Sequence, residues 1–290
     1  MKYAGALFIM TAAVFWGLTG GIADVLMEKG WSAGVISFYR GAVGLICALG
    51  WFLLKPRKNR PRSKSLFGWA VLAGIGVAGN FTLYFLSIEA SSIAVAAILM
   101  YTAPIFVLLS SFLLGMEKSS WLKWGCIASV LTGIVLLTGA YKSGGAAVTP
   151  AGALTGLGAG LSYALFIFGF KKSSAKGSAP ATLTIAFLAF CAILFVYMDI
   201  PEAASVLTSG DLPLFILLGL IGAGLSFALY IYGIKRTAPT TASIIAMVEP
   251  VTASLFGVLI LEDSLSLIQS VGMGIILITI TLLSFKQADE

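Results

Sequence analysis

Apolar residues fill this chain in long unbroken runs separated by short polar stretches, a spacing that predicts ten membrane-crossing helices. A helix that crosses about 30 Å of hydrocarbon needs roughly 20 apolar residues. Runs of that size lie near 5–27, 32–54, 67–87, 92–114, 121–140, 151–170, 181–199, 212–233, 240–261 and 266–285. The connectors hold the Pro, Gly, Ser and charged clusters, as in Lys55-Pro56-Arg57-Lys58-Asn59-Arg60-Pro61-Arg62. Backbone polar groups in hydrocarbon must be satisfied inside the protein, so such runs are forced into helices, and the alternation of a membrane barrel is absent. The first run, Ala4 to Met27, is too long for a cleaved leader and lacks a strongly basic start, so it is read as an uncleaved span.

The pattern repeats. Leu72–Pro104 lies on Leu218–Pro250 without a gap and matches at ten of 33 positions, among them Gly76/Gly222, Phe81/Phe227, Tyr84/Tyr230 and Pro104/Pro250. A neighbouring offset pairs Gly5-Ala6-Leu7 with Gly152-Ala153-Leu154 and Trp16 with Tyr163. Five spans per half is an odd number, so the second half must enter the membrane the other way up. The turn after the third span carries Glu89, and its mate after the eighth carries Lys235 and Arg236. The expected fold is therefore an all-α integral membrane protein: ten transmembrane helices in two inverted five-helix repeats, 1–145 and 146–290, around a central cavity. Such repeats let one half exchange conformation with the other, which alternately opens a central site to each side.

Composition sharpens the picture. Of 290 residues, 59% are hydrophobic and only 10% charged, with a mean hydropathy of +1.02. Soluble domains carry about a quarter charged residues, so most of this surface faces lipid. The net charge of +6 does not indicate nucleic acid, because the basic residues sit in connectors. With the amino terminus inside, 15 of 18 basic residues are cytoplasmic, as the positive-inside rule requires. This orientation puts both termini in the cytoplasm of a multi-pass protein of the cytoplasmic membrane. The three cysteines, Cys47, Cys126 and Cys191, lie unpaired in apolar runs, and there is no histidine. Disulfide, metal and cofactor chemistry are not expected.

Two charges fall deep within spans, Arg40 and Glu249. Each costs about 2.5–3.5 kcal/mol to insert, so such residues ordinarily face a cavity or a partner. Arg40 suits an anionic group or a gate, and Glu249 suits a cationic group or a proton, which leaves proton coupling open. The alternatives are an ion pair between them, or Arg40 snorkelling to the outer interface. Pro104 and Pro250 remove helix hydrogen bonds in the fourth and ninth spans, which frees the carbonyls of Met100 and Ala246 and marks both spans as bent cavity walls. Trp16, Asn80, Tyr84, Tyr101, Tyr163 and Tyr230 lie near the same depth and are the expected polar and aromatic lining, able to hold flat or cationic solutes. Ser162 and Ser226 lie at that depth as well. Glycines four apart, as at Gly152, Gly156 and Gly160, suit close helix packing.

Taken together, Trp16-Gly17, Phe38-Tyr39-Arg40, Leu83-Tyr84 through Ala94, Pro104, and Glu249-Pro250 followed by Glu262 or Asp263 resemble the EamA family of the drug/metabolite transporter superfamily. The resemblance runs over essentially the whole chain, with a departure at Met116-Glu117, where the acidic residue is displaced by one position. It implies a ten-helix fold around a central cavity and the export of metabolites, amino acids or toxic compounds. The expected function is a secondary transporter of small solutes, acting as a monomer or weak dimer within the bilayer. Exchange of phosphorylated sugars or nucleotides would need several cavity bases, and only Arg40 qualifies. No phosphate-cradling Gly-rich Lys motif is present. An intramembrane enzyme lacks catalytic groups here, and a channel lacks a filter motif.

Overall fold

The structure, a computed structural model, describes residues 3–61, 63–142, 149–262 and 264–289. Lys2, Arg62, Asp263 and the expected division of the halves at 145/146 lie outside the described residues, as does the Lys142 side chain. Among the described residues ten helices are long and apolar enough to span: α1 (Ala4–Glu28), α2 (Ala33–Leu54), α3 (Lys64–Ala90), α4 (Ile93–Leu113), α5 (Trp121–Thr138), α6 (Pro150–Ser174), α7 (Ala179–Tyr197), α8 (Leu212–Arg236), α9 (Pro239–Ile260) and α10 (Leu267–Lys286). This is the all-α integral membrane fold.

Starts follow local chemistry. Ser32, Ser120, Thr149 and Ser178 each accept a hydrogen bond from the backbone N–H three residues on, the side-chain capping that satisfies orphan donors at a helix start. Two spans are interrupted. α4 breaks at Tyr101–Thr102 into Ile93–Met100 and Ala103–Leu113, and α9 breaks at Ala246–Met247 into Pro239–Ile245 and Val248–Ile260. In both, the second segment begins just ahead of its proline. The Ala246 carbonyl, denied a bond from Pro250, accepts from the Glu249 N–H at 3.0 Å, so a tighter turn takes up the group expected to be free. α8 holds a π-helical turn at Leu220–Leu225, which the apolar pattern does not reveal.

Contacts between connectors fall into two sets, one at each end of the bundle. At the first end Ser178 Oγ donates to the Asn59 carbonyl at 3.3 Å. Lys171 Nζ donates to the carbonyls of Ile234, Lys235 and Thr237 at 2.8, 3.2 and 2.9 Å. The rings of Tyr3 and Phe285 meet there at 5.8 Å, so both ends of the chain share this face. At the opposite end Thr149 Oγ1 donates to the Ala90 carbonyl at 2.7 Å and Gln269 Nε2 to the Leu137 carbonyl at 3.1 Å. Alternation of the connectors between ends is what ten successive crossings require.

Each end is also pinned by carboxylates that join the first five spans to the last five. At the end bearing the termini, Glu117 Oε1 accepts from the Thr240 N–H and hydroxyl at 3.0 and 3.1 Å, and Oε2 pairs with Lys123 Nζ at 2.6 Å. At the far end Glu202 accepts from the Ser32 N–H and hydroxyl, both at 2.6 Å. Asp211 accepts from Lys29 Nζ at 2.5 Å and Trp31 Nε1 at 2.9 Å, bonds that hold its carboxyl below the ordinary carboxylate range. Burial pushes the Glu117 carboxyl up, but the bonds from Lys123 and Thr240 outweigh it and leave Glu117 below its ordinary value. A carboxyl depressed in the folded state contributes stability above its unfolded pKa and loses it as pH falls through the folded value. The Glu117 contribution is therefore constant through the neutral range. We expect Glu117→Gln to lower the thermal midpoint at pH 7, with the gap to the parent protein closing below about pH 4; a gap that stays constant to pH 3 in the same melting series contradicts this.

Candidate functional site

Midway between the two ends lies a narrow cavity of about 30 Å³, walled by Trp16 of α1, Arg40 of α2, Val77, Asn80 and Phe81 of α3, Tyr163 and Phe166 of α6, Phe227 of α8 and Glu249 of α9. A single water needs about 10–15 Å³, so the space holds about two waters. A solute enters only if the helices part.

Arg40 is 8% exposed and does not snorkel. Its Nε donates to the Gly222 carbonyl at 3.2 Å, and its guanidinium carbon stands 5.0 Å from the centre of the Phe81 ring. Gly222 lies in the π turn of α8; such turns break the regular i−4 ladder and recur at functional sites. A Cβ at Gly222 would come within 2.6 Å of Thr19 Oγ1 and 2.9 Å of Arg40 Nε, so only glycine admits the arginine here. Gly222→Ala should cost about 1–3 kcal/mol by overpacking and move the Arg40 head. The thermal midpoint and solute binding measured on the same preparation check this, and a variant unchanged in both refutes it.

Glu249 sits in the first turn of the second α9 segment, where the helix dipole favours a negative charge. It is half-buried, its exposed part facing the cavity. Arg40 and Glu249 face one cavity without a contact ion pair recorded between them among the described residues. Glu249 is held close to α1 by Gly17: a Cβ there would fall 2.5 Å from the Glu249 carbonyl oxygen and 2.9 Å from Ala253 N.

The remaining walls are fixed by bonds between helices. Trp16 Nε1 donates to Ser226 Oγ at 3.0 Å, tying α1 to α8, and Asn80 Nδ2 donates to the Ala159 carbonyl at 3.1 Å, tying α3 to α6. The buried Tyr163 hydroxyl has no hydrogen-bond partner among the described residues. Below the cavity, toward the termini, Phe170, Phe227 and Tyr230 pack on Trp16 and Phe166 with ring centres 5.1 to 6.4 Å apart, an aromatic plug.

Of the residues expected at the site, the structure thus brings Trp16, Arg40, Asn80, Tyr163 and Glu249 together around one space. Tyr230 belongs to the plug, fully buried against Trp16. Tyr84 and Tyr101 stand outside the lining: Tyr84 packs on Phe85, and Tyr101 is buried at the break of α4. Pro104 and Pro250 follow the two breaks and do not touch the cavity. Val77, Phe81, Phe166 and Phe227 complete the walls and are not among the lining residues expected from sequence. Phe81 and Phe227 carried a usable signal, since they are matched repeat positions adjacent to Asn80 and Ser226.

The arrangement defines a ten-span membrane protein in which two charged side chains, Arg40 and Glu249, face one narrow central space. The model of the EamA-like transporter family matches the chain twice, over residues 3–139 and 150–285, and the chain belongs to that family. It is a membrane transporter. A relative called an uncharacterized transporter in Archaeoglobus fulgidus is 28% identical over 96% of this chain and 94% of its own length. The threonine/homoserine exporter RhtA of Escherichia coli is 26% identical over 70% of this chain and 66% of its own. A chain solved by crystallography shares the fold at a TM-score of 0.78 and 20% identity, covering 97% of this chain and 98% of that one.

Proposed function

We propose that the protein is a secondary exporter of small zwitterionic solutes, amino acids foremost, that works by alternating access between two inverted five-helix repeats. The observation that carries this reading is the pair Arg40 and Glu249, which face one cavity from α2 and α9 without pairing with each other. Each is costly to bury alone, and a solute bearing a carboxylate and an ammonium neutralises both at once. The carboxylate goes to the fixed guanidinium of Arg40, the ammonium to the Glu249 carboxylate, and the aromatic walls take the aliphatic part. A relative is named for threonine and homoserine export, which agrees with this charge pattern.

Several features support the repeat reading. The family model matches once in each half. Mates of the internal alignment occupy matching places: Trp16 and Tyr163 both line the cavity, as do Phe81 and Phe227. Asn80 bonds across to α6, and its mate Ser226 accepts a bond from α1. The two broken spans, α4 and α9, are also mates. Carboxylate latches close both ends, and one set must open while the other holds. The basic connectors support a cytoplasmic position for the end with the termini.

Glu249 also suits a proton. A carboxyl that binds either H⁺ or the ammonium of a solute couples them as antiport, because the two cannot occupy it together. The test is a solute panel on purified protein in proteoliposomes, with and without a pH gradient. Amino acids should exchange, with uptake driven by an outward-directed counter-solute and enhanced by a proton gradient. Wild-type Glu249 should show this enhancement and Glu249→Gln should not, while exchange of a non-zwitterionic solute to the exclusion of amino acids defeats the proposal.

A further inference from the structure

At the end bearing the termini, two surface hollows lie side by side and share Tyr232 in their walls. The first, about 450 Å³, is lined by Lys55 and Lys58 from the α2–α3 connector, Lys235 at the end of α8, and the start of α7. Its lining holds three lysines and no carboxylate, and the ion pairs among the described residues involve none of the three. The second, about 780 Å³, is an apolar groove between α1 and α8 formed by Leu7, Phe8, Leu229 and Tyr232, with Arg236 at its rim.

The hollow is a built feature rather than a loose turn. Asn59 Nδ2 donates to the Trp51 and Phe52 carbonyls at 3.4 and 3.0 Å and so closes the end of α2. The Asn59 carbonyl in turn accepts from Ser178 at the start of α7, which fixes the lysine-bearing segment against α7. Lys235 Nζ reaches the Gly177 carbonyl at 3.4 Å, which holds the third cation on the same rim. Trp51 and Phe8 flank Tyr232 with ring centres 6.1 and 6.2 Å away. Aromatic rings of this kind sit at the level of lipid headgroups.

We propose that this face holds one anionic phospholipid, its phosphate against Lys55, Lys58 and Lys235 and an acyl chain along the groove of Leu7, Phe8 and Leu229. Unpaired cations in a hollow ask for an anion. The adjoining apolar groove asks for a tail on that same molecule, which a soluble phosphate lacks. Basic pockets between transmembrane helices at this level are the sites where anionic headgroups dock. The site joins α1, α2, α7 and α8, so the lipid would brace both halves of the bundle at one end. This reading stands apart from the solute site, and its failure would leave that site untouched.

Native mass spectrometry of the intact purified protein tests it, with phosphatidylglycerol and phosphatidylcholine added in equal amounts. One phosphatidylglycerol should be retained in preference to phosphatidylcholine. Lys55→Gln/Lys58→Gln/Lys235→Gln should lower that preference by at least about tenfold, whereas the same three positions changed to Arg should keep it. Lys64→Gln/Lys118→Gln/Lys172→Gln, which removes three cations outside both hollows, should also keep it. Millimolar glycerol phosphate should not displace the lipid. The proposal is overturned if the first triple variant keeps the preference, if the Arg triple loses it, if the second triple loses it equally, or if glycerol phosphate competes the lipid off.

Discussion

Arg40→Leu should abolish transport and raise the thermal midpoint at the same time. The guanidinium loses its hydrogen bond to Gly222 and its contact with Phe81, but the bundle no longer carries a buried cation that costs about 2.5–3.5 kcal/mol in a span. Replacing buried charge by an apolar side chain of similar bulk is often neutral or stabilising. Transport should fall by about 100-fold or more, since a charge-assisted bond to the solute is worth about 1.5–3 kcal/mol and the leucine leaves the carboxylate desolvated with no partner. Arg40→Lys should retain part of the activity, because the charge remains and the planar fork is gone. Transport assays in proteoliposomes beside melting curves in detergent separate the alternatives. A residue whose only task was holding α2 to α8 would take stability and transport down together.

The second large effect concerns the ends. Glu117→Ala removes the acceptor for two Thr240 donors and the Lys123 amine. Glu202→Ala removes the acceptor for the Ser32 N–H and hydroxyl at the other end. Bonds to charged groups are worth about 1.5–3 kcal/mol each, so losing one latch shifts the balance of open ends by about tenfold to a hundredfold. The two variants should shift it in opposite directions. A cysteine at Asn80, in a background with Cys47, Cys126 and Cys191 replaced, reports this through labelling by a membrane-impermeant maleimide. Glu117→Ala should make it reactive from the face bearing the termini, and Glu202→Ala from the other face. Equal labelling of both variants from the same face would show that the carboxylates do not act as opposed gates.

The spans were legible because the requirement for them is local: each needs about 20 apolar residues in a row, and that is a property of sequence order. The cavity was partly legible for a related reason. A charge or an Asn in the middle of an apolar run is conspicuous, which is how Arg40, Asn80 and Glu249 stood out. Phe81, Phe166 and Phe227 did not, because one more aromatic residue in an apolar helix carries no local mark, and only the repeat alignment distinguishes the first and the last. Tyr84 and Tyr101 are absent from the lining of the narrow space, and nothing in residue type or depth along the span separates them from Tyr163, which lines it. The π turn of α8 leaves no trace in the apolar pattern, as it shifts register without changing residue type. The latches were the least visible part. Glu202 and Asp211 sit in a connector and look solvated, and their partners Ser32 and Lys29 lie 170 and 182 residues away, distances over which only the fold decides who meets whom.

The most direct test of the central claim compares binding of the best amino-acid solute with two of its derivatives, the carboxamide and the N-acetyl form. The parent protein should prefer the free amino acid to both. Arg40→Leu should lose discrimination against the carboxamide while keeping it against the N-acetyl form, and Glu249→Gln should show the opposite loss. Unaltered discrimination in both variants would mean that the solute does not bridge these two charges.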